Sequence, residues 1–173
     1  MLDRGGGRGQ AGRMMSMLRT HVRICGAALA ALAAAPAAAE VVALLPVKFL
    51  DTSGEAADQG AAHLARLEEF GATLAEEMAA GQGASIARID AATVAAACSP
   101  ETPECLVALA RDQGAERALF VVVLKTSTLI MQGFATLVDT RAETVTAQRD
   151  LSFRGDSDDS WTRAARFLAR DLR

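Results

Sequence analysis

The sequence predicts an α/β domain: a five-stranded mixed sheet, its fourth strand antiparallel, covered by helices. Three observations predict it. Short valine-rich apolar runs alternate with longer stretches of helical periodicity. Later, two apolar runs and a half-polar run follow one another with only brief turns between them. An amphipathic helical segment then closes the chain.

The first strand is read in "EVVALLPVKFLDTSG", an apolar run ending near Asp51 at a glycine-containing turn. In "DQGAAHLARLEEFGATLAEEMAAG", Leu64, Leu67, Phe70, Leu74 and Met78 recur at helical spacing. Asp58 is placed to cap that helix and Gly81 to stop it. His63 lies beside the stripe, as a surface or internally satisfied histidine. "ASIARID" supplies a short second strand and "AATVAAAC" an alanine-rich helical piece. Pro100 and Pro103 in "CSPETPEC" force a bend before the amphipathic helix "ECLVALARDQGA", which Gly114 ends.

"RALFVVVLK" has the composition of a central strand covered on both faces. After the turn "TST", the strand "LIMQGFATLVD" contains Gly133, a sign of a bulge or close backbone contact. "TVTAQRDLSF" alternates, with Val145, Ala147, Leu151 and Phe153 on one face, as an edge strand does. The last helix, "SWTRAARFLARDL", puts Trp161, Ala165, Leu168 and Leu172 on one side and Arg163, Arg166 and Arg170 on another. Helical crossovers make the first three strands parallel, and the short turns make the fourth antiparallel.

Residues 1–39 read as a secretory signal and 40–173 as a single domain. Five arginines precede the short apolar core "ICGAALAALAAA", and Pro36-Ala37-Ala38-Ala39 offers small residues for cleavage before Glu40. Met14, Met15 or Met17 could also begin the chain. Cys25 makes a poor lipid-attachment site because Arg23 precedes it closely. The apolar core is too short for a membrane span of about 20 residues. The expected location is therefore the periplasm, with no membrane span after cleavage. Without the signal, 13 basic residues face 20 acidic ones, a net charge near −7. That balance argues against nucleic acid and anionic membrane surfaces as partners. With no tyrosine and one tryptophan, the domain does not suggest an aromatic sugar-binding surface.

In an exported protein, Cys98 and Cys105 are expected to form a disulfide closing a short loop, worth about 2 to 3 kcal/mol. A metal would need more ligands than this pair and His63, and a redox couple usually has only two residues between its cysteines. No cofactor and no metal are expected.

The strand directions bring the ends of the first, third and fifth strands to one edge, where α/β sheets tend to bind ligands. The candidate binding edge is Asp51, Glu55, Lys125, Ser127, Arg154, Asp156, Asp159 and Trp161. In "RGDSDDSW", Ser157 or Asp156 can cap the last helix, with Asp158 and Asp159 favouring the positive end of its dipole. Lys125 and Arg154 would neutralise these acids. That structural account leads, and a functional surface formed by Asp51, Lys125, Arg154 and Asp159 is its rival. Calcium fits poorly, since Trp161 and Phe167 stand where a calcium loop needs glycine and glutamate. The letters RGD also spell an adhesion tripeptide, too short a match to weigh. No nucleophile elbow, zinc-protease helix or phosphate loop occurs, so no catalytic residue is assigned.

"LLPVKFLDTSGE", "LARDQGAERALFVVVLKTSTLI" and "FRGDSDDSWTRAARFL" resemble a bacterial family of exported proteins of unknown function. The shared elements are Lys125, Ser127, Leu129 and Ile130, then Arg154, Gly155, Asp158, Ser160, Trp161 and Arg163. In "DTRAET" relatives tend to carry Thr-Gly, a departure that affects hairpin shape only. More distantly, the element order is similar to the amino-terminal domain of TolB and to the curli-secretion lipoprotein. The resemblance implies strand order 2-1-3-4-5 and supplies no reaction. The functional expectation is an exported non-enzymatic binding or scaffolding domain whose partner is an envelope or periplasmic protein. The alternative is a small-ligand sensor or carrier using the crevice near Asp51 and Lys125.

Overall fold

The structure is a computed structural model that describes residues 39–172. The export-signal reading, including Cys25 and the alternative starts, falls on residues outside the described ones. Strands β1 (Val41–Leu44), β2 (Lys48–Asp51), β3 (Ser85–Arg88), β4 (Arg117–Lys125), β5 (Ile130–Asp139) and β6 (Thr144–Arg154) form one sheet. Helices α1 (Gly60–Gln82), α2 (Ala91–Ala97), α3 (Pro103–Asp112) and α4 (Asp158–Asp171) cover it. The order is β3-β1-β4-β5-β6, with β2 also beside β4.

The expected strand order and directions hold, with one strand more than anticipated. The opening apolar run is two strands because Pro46 has no N–H for the ladder and interrupts it. β1 pairs with both β3 and β4, whereas β2 continues along β4 alone, from Lys48 opposite Val122 to Asp51 opposite Lys125.

Residues of alternating parity separate two cores. On one face, Leu119, Val121 and Val123 of β4 meet Phe70, Leu74 and Met78 of α1 and Trp161, Ala165 and Leu168 of α4. On the other face, Ala43, Leu45 and Ala118 meet Val94 of α2 and Leu106 and Ala110 of α3. The inner stripe of α1 is shifted from its expected register at the amino end. Leu64 is 70% exposed, and His63 takes the buried position instead. α1 runs on to a left-handed cap at Gly83 rather than stopping at Gly81, and Asp58 accepts a hydrogen bond from the Gly60 N–H.

α2 and α3 flank the cysteine loop as expected, and Cys98 and Cys105 are joined, their Cα atoms 5.8 Å apart. Gly133 is a close contact, not a bulge: a Cβ there would meet Leu151 at 3.3 Å. The register shift falls at Leu137/Val138 instead. It turns Val145 away from Ala147, Leu151 and Phe153, which explains why Val145 is exposed while the others pack on the core.

Candidate functional site

Gly155, at φ +86°, makes the left-handed turn that leads from β6 into α4. Its N–H donates to the Leu129 carbonyl, tying the turn to the β4–β5 hairpin. Ser157 then caps α4, its hydroxyl accepting from the Ser160 N–H, while Asp158 and Asp159 occupy the first turn. The capping account of this stretch therefore holds for Ser157. Asp156 points inward.

Asp156 is the hub of a buried polar cluster. Its Oδ2 accepts from Lys125 Nζ at 2.7 Å and His63 Nε2 at 2.8 Å. Its Oδ1 accepts from Arg66 Nη1 at 2.9 Å and Trp161 Nε1 at 3.0 Å. Burial alone would raise its pKa, but the hydrogen bonds from His63, Lys125 and Trp161 outweigh that and hold it at about 2. An ionised carboxylate can only accept, so His63 Nε2 carries the proton.

Lys125 is wholly buried at the end of β4. Glu55 Oε2 meets its ammonium at 2.9 Å, and Gln59 Nε2 steadies the same oxygen at 2.7 Å. Burial pulls the lysine pKa down, yet hydrogen bonds to Asp156 and Glu55 raise it overall. Such a lysine stays charged and is no nucleophile. Glu55 Oε1 is buried without a hydrogen-bond partner among the described residues. Aromatic rings seal the cluster: Trp161 lies edge-on to Phe70 and Phe153, and Phe49 packs on the His63 ring at 4.5 Å.

The candidate edge thus divides. Glu55, Lys125, Asp156 and Trp161 come together and turn inward. Asp51 is exposed, its carboxylate accepting from the Ser53 hydroxyl and N–H, which lower its pKa. Ser127 accepts from Leu129 and Ile130 N–H groups in the β4–β5 turn. Asp159 pairs with Arg163 along α4. Arg154 is exposed and, among the described residues, has no acidic partner, so it does not neutralise the cluster. A cavity of about 490 Å³ beside Asp51 is walled by Phe49, His63 and Leu67. Lys125 is not among its lining residues.

The sequence reading missed Gln59 and Arg66. With His63 they stand at i, i+4 and i+7, a polar row beside the apolar stripe of α1. That row was the available signal.

The chain belongs to the family described as "Protein of unknown function (DUF2380)". The match spans residues 40–172. No curated protein matches the chain. Among solved structures, a PelC dodecamer from Paraburkholderia phytofirmans is similar at 14% identity and a TM-score of 0.50, covering 78% of this chain and 84% of that one. TolB from Acinetobacter baumannii is similar at 12% identity and a TM-score of 0.48, covering 80% of this chain and 28% of that one. The LpoB C-terminal domain from Salmonella enterica is similar at 12% identity and a TM-score of 0.42, covering 66% of this chain and 82% of that one. The likeness to PelC shows the fold.

Proposed function

We propose that this member of the family is an exported, non-enzymatic binding or scaffolding domain for another envelope or periplasmic protein. The observation that carries the reading is an apolar strip of sheet outside the helical cover. α2 and α3 pack over β1 and the start of β4. Beyond them, Leu50 is 54% exposed, Ile130 50% and Phe134 38%. Register makes these one surface: Leu50 lies opposite Leu124, and Phe134 opposite Val122. Contiguous exposed apolar surface on a soluble domain marks a contact site. The strip adjoins the exposed part of the candidate edge, since Ile130 pairs with Arg154 and Leu50 precedes Asp51.

Export rests on the reading of residues 1–39, and amino-terminal sequencing of the protein recovered from the periplasm checks it, with Glu40 expected first. The binding role is tested by crosslinking in cells, with mass spectrometry of what is captured. Wild type is compared with a Leu50→Asp, Phe134→Asp double variant. Partners that appear with wild type and vanish with the variant support the reading. The same proteins from both, or none from either, count against it, as does substrate turnover by the purified protein in a hydrolase screen.

A further inference from the structure

We propose that the free edge of β6, with the arginine-bearing side of α4, binds an extended acidic segment of a partner protein as an added strand. This rests on the reading of the protein as a binding domain and assigns it a second surface.

β6, 11 residues long, is an end strand of the sheet and among the described residues pairs with β5 alone. Its outer side therefore carries alternate N–H and C=O groups with no ladder partner. A groove of about 780 Å³ lies there, lined by all of 150–154 and by α4. Successive strand side chains point to opposite faces, so a groove that touches both parities runs along the strand's edge. The other wall includes Ser160, Arg163, Ala164 and Phe167, spaced as one face of α4.

The charge of this groove is opposite to that of the chain. Arg154, Arg163, Arg166 and Arg170 line it against the single carboxylate of Asp150, while the whole chain carries a net charge of −3. Arg163 pairs with Asp159, and Arg166 reaches Glu77 at 3.3 Å. Among the described residues, Arg154 and Arg170 have no acidic partner. Phe167 is 51% exposed and offers an apolar contact for one side chain of an incoming strand. Backbone pairing supplies affinity in strand addition and the flanking side chains choose the sequence. Guanidinium groups choose carboxylates. A second copy fits less well. Antiparallel pairing of two β6 edges would set both α4 helices on the same sheet face and bring their arginine rows together.

The test titrates the protein, purified from cells expressing the full chain, with an acetylated, amidated peptide alternating glutamate with valine. Comparison probes are the same peptide N-methylated at every backbone nitrogen, and one with lysine for glutamate. The protein variant is Arg154→Glu, Arg170→Glu, both exposed and both without an acidic partner among the described residues, so that folding survives the change. Saturable binding is expected, with amide resonance changes confined to 150–154 and α4. Each comparison probe and the variant should bind at least about tenfold more weakly. Absence of saturable binding overturns the proposal. So does equal binding of the N-methylated peptide, which would show attraction by charge alone, or dimerisation through β6 that the peptide does not displace. If the peptide fails here while crosslinks form at Leu50 and Phe134, this inference falls and the binding-domain reading stands.

Discussion

Lys125 ends β4 with its ammonium fully buried between Glu55 and Asp156, whose carboxylates lie 2.9 and 2.7 Å away. Removing one partner of such a group leaves the others charged in a poor solvent for charge. Lys125→Met is expected to cost about 3 to 5 kcal/mol in denaturant unfolding, and adding Glu55→Gln and Asp156→Asn should recover part of the loss. Asp156 also makes stability depend on pH. Its folded pKa of about 2 lies below its unfolded value of 3.8, so the stabilisation is fully present above 3.8 and is lost as pH falls toward 2. The amount at stake is about 2 kcal/mol. An unfolding series across that window should show an acid limb for wild type and a flatter one for Asp156→Asn. Both residues were legible as charges at the strand ends, but their burial was not. Hydrophobic periodicity tells which apolar residues face inward; it does not tell which distant charges meet. Lys125 and Asp156 are 31 positions apart, and His63 is 93 from Asp156.

At the scale of elements, the strand order and directions were legible because connection length decides direction and a family resemblance supplied the order. The departures each have a local cause. Pro46 breaks the opening strand, and the register shift near Val138 turns Val145 outward. Strict alternation in "TVTAQRDLSF" hid that shift, because an inserted residue leaves no mark in a period-two pattern that it interrupts near one end. His63 for Leu64 at the inward position of α1 reflects a polar cluster competing with an apolar core for the same helix face. The β5–β6 turn carries a conformational cost. Glu143 sits at φ +54°, a conformation that glycine adopts freely and other residues do not. Glu143→Gly should raise stability by about 0.5 to 1 kcal/mol, measured as a shift in the denaturant midpoint. Its ion pair with Arg111, 3.2 Å long and partly exposed, is worth too little to offset that gain.

Across the whole molecule, charge and apolar surface are distributed in ways that folding alone does not require. At the strand ends Glu55, Lys125 and Asp156 are consumed inside, while Asp51, Arg154 and Asp159 stay exposed. Four arginines crowd one groove at the sheet edge, and an apolar strip lies open on the adjoining part of the sheet. Residues kept for packing and residues kept for contact respond differently to substitution. A core side chain changed to aspartate would lose burial and strand a charge in an apolar interior, a cost of several kcal/mol. Leu50 and Phe134 stand on the open strip, where aspartate remains in water and the neighbouring strands stay paired. The Leu50→Asp, Phe134→Asp variant should therefore unfold within about 1 kcal/mol of wild type, the small penalty arising from strand propensity. Its capacity for partner capture should nonetheless be lost. A large drop in its denaturant midpoint would instead make the strip part of the core, and the loss of partners would then follow from unfolding. Unchanged stability with lost capture separates the two, because a surface that contributes nothing to folding has been changed and only the contact has disappeared.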